Sequence, residues 1–176
     1  MDISIFIRSV SSSFRKEEYS NDQLGSITEF NPEPDSSNNR KATKIAIVGV
    51  PEGRGSKDNR SCSKAPHIIR EYLYKLGMPA NDLIIHDFGN IDPGNTLQDT
   101  HYALSGTCGH LRKNGYVVIV LGGGQDLTHA NYSAYAELER TVDMVSIDPR
   151  FDMGTPQDDK MDSSNYLSKI VAEQPN

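Results

Sequence analysis

Tyr116-Val117-Val118-Ile119-Val120-Leu121-Gly122-Gly123-Gly124-Gln125-Asp126 is the stretch that decides how this chain is read. Six apolar residues, four of them β-branched, follow Asn114-Gly115 and run into three glycines. That pattern predicts a short strand covered on both faces. Residues 127 to 140, with Ala130, Ala134 and Leu138 at helical spacing, predict a helix directly after the glycines. A buried strand passing through a glycine turn into a helix is one β-loop-α unit.

Neighbouring segments repeat the unit. Upstream, Ile45-Ala46-Ile47-Val48-Gly49-Val50 is an apolar run stopped by Pro51. A helix capped by Ser63, with Pro66 in its first turn, is expected to present Ile68, Ile69, Tyr72, Leu73 and Leu76 as one apolar face before Gly77 ends it. Leu83-Ile84-Ile85 predicts a second strand, and Thr96 with Asp99 starts a helix whose Leu97, Leu104, Cys108 and Leu111 share a face. Downstream, Val142 to Ile147 reads as a fourth strand ending at Asp148, and Tyr166, Leu167, Ile170 and Val171 as a last helix. The alternation predicts a three-layer α/β/α fold with a mostly parallel sheet containing residues 45–50, 83–86, 116–121 and 142–147. Such sheets bind ligands beyond the carboxyl ends of their strands.

The beginning of the chain reads differently. Ile3, Ile5 and Ile7 alternate with other residues and predict a short strand, whereas residues 8 to 43 are rich in Ser, Asn and Pro and read as a polar excursion or linker. The division expected is therefore 1–43 and an α/β domain over 44–176. With 36% hydrophobic and 24% charged residues, 176 residues suffice for one ordinary core. The formal net charge of -6 gives no overall field for nucleic acid or anionic lipid, and Arg54, Lys57, Arg60, Lys64 and Arg70 read as a solvated basic stretch. No apolar run approaches a membrane span, and Asp2 stands where a signal peptide needs positive charge, so a cytoplasmic protein is expected. Cys62 and Cys108 have no metal-finger spacing and read as reduced thiols, with Cys108 in the apolar stripe of its helix.

Chemistry concentrates after two strands. Asp148 and Asp152 flank a short turn, Asp148-Pro149-Arg150-Phe151-Asp152, and either hold a divalent metal or cap the turn and pair with Arg150. Asp126 either caps the following helix or joins those carboxylates as a further candidate ligand. His129, four residues beyond Gln125, reads as a surface or packing histidine. A dinucleotide site is the weaker alternative, because Gly49 to Gly55 lacks the G-x-G-x-x-G order and Pro51 removes an N–H the phosphates would use.

Strand-Gly122-Gly123-Gly124-Gln125-Asp126 followed by strand-Asp148-Pro149-Arg150-Phe151-Asp152 resembles the first two metal motifs, G-G-D-H-S and D-A-H-x-D, of the arginase, agmatinase and formimidoylglutamase family of ureohydrolases. Gly49-Val50-Pro51, Ala65-Pro66, Ile69-Arg70 and Asp87-Phe88-Gly89-Asn90-Ile91 resemble its upstream segments. The likeness is greatest to formimidoylglutamase-like proteins carrying Q-D-L-T and D-x-R-F-D, and runs over about residues 44 to 154. It implies an arginase-like fold and a binuclear manganese site whose bridging hydroxide attacks the carbon of a linear amidine or guanidino substrate, because metal ions make that nucleophile near neutral pH.

Carried over position by position, the resemblance puts Asp148 and Asp152 at Asp ligands. It puts Gln125 and Arg150 at the two His ligands. Arginine is no metal ligand, and a neutral glutamine oxygen is a poor exchange for imidazole. The later S-F-D-x-D carboxylates do not occur in the sequence. The expectation is therefore the N-terminal part of a family member with a degenerate site and weak or no hydrolysis, in which Arg150 neutralises the carboxylates in place of manganese. A small amidine or guanidino ligand and a homo-oligomer are the partners expected.

Overall fold

The computed structural model describes residues 2–33, 42–78, 83–136, 142–155 and 160–173. Its elements are β1 (Ile7–Arg8), β2 (Thr28–Phe30), β3 (Thr43–Gly49), α1 (Ala65–Leu73), β4 (Leu83–Ile91), α2 (Leu97–Lys113), β5 (Tyr116–Leu121), α3 (Leu127–Ala136) and α4 (Tyr166–Glu173). β3 is the central strand. It pairs in parallel with β4 from Thr43↔Leu83 to Gly49↔Asn90 and with β5 from Lys44↔Tyr116 to Gly49↔Leu121. The far edge of β4 takes β2 in parallel and β1 antiparallel, so the sheet is mixed but mostly parallel, as its apolar runs predict.

Helices and loops cover both faces. On one, Ala46, Val48, Val50 and Phe88 pack against Leu104, Cys108 and Leu111 of α2 and Leu127, Ala130 and Ala134 of α3. Fully burying a leucine contributes about 2 kcal/mol, so Leu104 and Leu111 together outweigh the roughly 1 kcal/mol that Gly106 or Gly109 each costs within α2. Thr96 and Asp99 form the expected capping box of that helix. Cys108 is fully buried in its stripe, which pushes its thiol pKa up to about 12.

The opposite face departs from the expected pattern. Ile47, Ile85 and Leu121 pack with Val10, Phe14 and Tyr74. Residues 8 to 33 are thus no polar excursion: Phe14, Tyr19 and Phe30 ring Tyr74 at centroid distances of 5.9, 5.9 and 5.0 Å, and β2 joins the sheet. Their mean composition is polar, but a few aromatics suffice when they meet a sheet already formed. Residues 34–41 lie outside the described residues.

Three further readings are corrected. Ile3 is buried while Ile5 is 71% exposed, because Ser4–Phe6 is a 3-10 turn that sends them to opposite sides, and only Ile7–Arg8 is strand. In α1, Ile68, Ile69 and Tyr72 face outward, and the helix instead buries Arg70. Residues 142–147 form no strand among the described residues: they have no ladder partner there, and Val145 and Ile147 are 87% and 99% exposed. An apolar run becomes a strand only when another strand completes its hydrogen bonds.

The burial of Arg70 has a specific cause. Its Nε and Nη2 donate to both oxygens of Asp87 at 2.7 and 2.9 Å, Nη2 also donates to the Gly89 carbonyl at 2.9 Å, and Nη1 donates to Asn90 Oδ1 at 2.8 Å. Tyr74 OH and the Gly89 N–H complete the shell of Asp87. A bulge makes this geometry available: the β3 register steps from Ile47↔Asp87 to Val48↔Gly89, with Gly89 at φ +106° and a Cβ there only 2.4 Å from the Arg8 carbonyl oxygen. Only glycine fits that position.

Candidate functional site

The carboxyl ends of β3 and β5 lie side by side, and the loops that leave them form one wall each of an open cleft of about 640 Å³. From the β3 loop come Ser56, Lys57, Asp58, Asn59 and Cys62; from the β5 loop, Gly123 and Gln125. Asp148, Pro149 and Arg150 form a third side, and Ser163 with Ser164 a fourth.

The glycine run is required by close packing of the two loops. Gly124 N–H donates to the Glu52 carbonyl at 2.9 Å, and a Cβ on Gly123 would stand 1.9 Å from that same oxygen. On Gly124 it would stand 2.1 Å from Asp126 Oδ1. The backbone of the β3 loop can therefore approach only if position 123 lacks a side chain, and Gly124 leaves room for the Asp126 carboxylate and the Ser56 hydroxyl. Gly122 meets nothing within 4 Å, so its reason is not steric.

Arg54 fixes the outer turn of the β3 loop. It forms an ion pair with Glu52 at 2.6 Å and donates to the carbonyls of Gly94, Asn95 and Thr96. Burial works against the Glu52 charge, but hydrogen bonds from Arg54 and Thr100 hold its carboxyl below its ordinary pKa. Lys57 reaches Asp162 at 2.9 Å, and Ser163 N–H donates to the Gly55 carbonyl, so the segment before α4 is fastened to the cleft. The basic stretch is thus not simply solvated: Arg54, Lys57 and Arg70 each have a specific acidic partner.

Each candidate residue from the sequence can now be placed. Asp126 is fully buried and does not line the cleft: Oδ2 accepts from His101 Nε2 at 2.9 Å, and Oδ1 has no hydrogen-bond partner. Gln125 and Asp148 do meet, with the amide Nε2 donating to Asp148 Oδ2. Asp148 Oδ1 accepts from the backbone N–H of Arg150 at 2.8 Å. Among the described residues the Arg150 guanidinium makes no ion pair with Asp148 or Asp152, contrary to the bridging role expected of it. Asp152 is 5% exposed with Oδ2 unpartnered; burial pushes its pKa up, the Asp148 charge adds to this, and Arg150 offsets part of it. His129 packs between α3 and α4, with Nε2 donating to Glu173 at 2.6 Å.

These donors do not fit a manganese centre. Both oxygens of Asp148 face N–H donors, and Asp126 is turned to His101. No group of three or more His, Cys, Asp or Glu that could hold a metal occurs among the described residues. The sequence pointed to the two motifs, but it did not point to His101 or to the Lys57–Asp162 tie. His101 sits on the polar face of α2, 25 residues from its partner, with no local signature.

Comparison with known proteins agrees with this architecture. The formimidoylglutamase of Bacillus subtilis superposes with a TM-score of 0.74 at 21% identity, over 99% of this chain and 55% of that one. A Trypanosoma cruzi formiminoglutamase with Mn2+2 superposes with a TM-score of 0.65 at 23% identity, over 78% and 50%. Among curated sequences, the formimidoylglutamase of Staphylococcus haemolyticus is 24% identical over 135 residues, 73% of this chain and 43% of that protein. Human Arginase-1 is 21% identical over 130 residues, 66% and 40% respectively. The chain spans less than half the length of these curated relatives. The sequence pattern of the Arginase family matches residues 43–175, which takes in β3, the glycine loop, the Asp148–Asp152 turn and α4, and the chain belongs to that family.

Proposed function

We propose that this chain binds a linear amidine or guanidino group in the cleft between the β3 loop and the Asp148 turn, and does not hydrolyse it unaided. The family relationship supports the hydrolase class, in which a C–N bond of such a compound is broken. The observation that carries the absence of turnover is the contact between Gln125 and Asp148. A carboxylate only accepts, so the glutamine must present its NH2, which is no metal ligand. The nucleophile of the family reaction needs a metal-bound water, and the donor set in this chain does not supply its ligands.

What remains is a recognition surface. Asp58, Asn59, Asp148 and the hydroxyls of Ser56, Ser163 and Ser164 offer acceptors to a planar cation, while Lys57 and Arg150 lie at the same cleft for a carboxylate on the ligand. The reading places the protein in the cytoplasm, where the free thiols of Cys62 and Cys108 stay reduced. Among the described residues no helix is long and apolar enough to cross a membrane.

The test is to incubate the 176-residue chain with manganese and a panel of linear amidines and guanidino acids, measuring binding by calorimetry and release of ammonia, urea or formamide. Binding without turnover is expected, weakened by Asp148→Ala. Sustained turnover, or stoichiometric manganese lost on Asp148→Ala, would overturn the reading.

A further inference from the structure

A second cavity, of about 390 Å³, opens between α2, α3 and α4 on the far side of His101. α2 contributes Gln98, His101, Tyr102 and Ser105, the i, i+3, i+4, i+7 positions of one face, while its apolar stripe turns to the sheet. α3 adds His129 and Ser133, and α4 adds Lys169. Among the described residues no aspartate or glutamate lines the cavity. Its polar groups are an amide, three hydroxyls, two imidazoles and an ammonium.

Among the described residues two carboxylates of the chain itself reach this set: the buried Asp126, on His101, and the partly exposed Glu173. Glu173 accepts from His129 Nε2 at 2.6 Å and stands 3.5 Å from Lys169 Nζ. A histidine of α3 and a lysine of α4 thus already hold an oxyanion. Glu173 is badly placed for the role. It is the last residue of α4, where the helix dipole disfavours negative charge, and its side chain is 44% exposed, so water competes for both contacts. A free oxyanion would use the same two donors without being tethered at the exposed helix end, and could also reach the hydroxyls that line the cavity.

We infer that the α2–α3–α4 cavity is a second ligand site, for a small carboxylate or phosphate anion, in which His129 and Lys169 are the anchoring donors and Glu173 is a built-in competitor. The site is separate from the cleft and independent of whether the cleft hydrolyses anything. His101 closes its inner wall, with Nε2 committed to Asp126.

Calorimetric titration of the 176-residue chain with inorganic phosphate, and separately with succinate, tests the inference. Glu173→Gln removes the competitor at an exposed position and is expected to tighten binding of at least one probe about tenfold. Adding Lys169→Gln to that variant should abolish the gain, and Lys75→Gln, at an exposed lysine that lines neither cavity, should leave it unchanged. The probe that gains more identifies the class, phosphate or carboxylate. No gain on Glu173→Gln, a gain that survives Lys169→Gln, or a gain lost on Lys75→Gln would each overturn the assignment.

Discussion

Asp87 and Asp148 are both carboxylates at the carboxyl-terminal side of an apolar run, and their surroundings differ completely. Asp87 is fully buried, and a guanidinium, a phenol and a backbone N–H satisfy its oxygens. Asp148 has one amide and one backbone N–H, and the residues leading to it are exposed. The difference follows from the strands. β4 is hydrogen-bonded along both edges, which fixes the position of Asp87 against α1. Residues 142–147 have no ladder partner among the described residues, so Asp148 is held by its own turn and by Gln125 rather than by a sheet. One region is finished and structural; the other is open and available for binding.

Stability should divide along the same line. Asp87→Ala leaves Arg70 buried without its counter-ion and is expected to destabilise the chain by about 3–5 kcal/mol, whereas Asp148→Ala should stay within about 0.5 kcal/mol. Urea unfolding measures both, and equal losses would break the comparison. Gly123→Ala tests the closed side of the cleft: its Cβ would meet the Glu52 carbonyl, so a loss of roughly 1–3 kcal/mol is expected, against little change for Gly122→Ala, where the space is open.

Acid should act on the β3 loop. The folded pKa of Glu52 is depressed, so its contribution is fully present above the ordinary carboxylate value of 4.5 and is lost as pH falls through the lower folded value. Stability measured from pH 6 down to about 3 should fall less steeply in Glu52→Gln, from a lower starting level. The smallest effect expected concerns the open edge. Val117 and Ile119 on β5, the last strand of the described sheet, are 57% and 41% exposed. Sedimentation velocity should show weak self-association of the 176-residue chain, reduced by Ile119→Lys; a monomer at high concentration would show the edge to be inert.

Local pattern carried much of this fold. The runs that became β3, β4 and β5, the capping box of α2 and the two motif turns all have periodicities or cap residues that act over a few positions. The aromatic cluster around Tyr74 was not legible, because Phe14, Tyr19 and Phe30 lie in a stretch whose average composition is polar. α1 was misread for a related reason: its apolar residues mark the wrong face, since the strongest partner for that helix is the carboxylate of Asp87, on a different element.

The sequence by itself therefore determined which segments could be strands and helices, and which two turns carry the family's motif positions. Only the tertiary structure decided that Asp126 turns to His101, that Gln125 takes the oxygen of Asp148, and that 142–147 finds no ladder partner among the described residues. Those outcomes depend on contacts between residues 23 or more apart, and on which hydrogen-bond partners the surrounding chain supplies. Spacing along a sequence constrains a helix turn or a strand face; it does not say which donor reaches a carboxylate first.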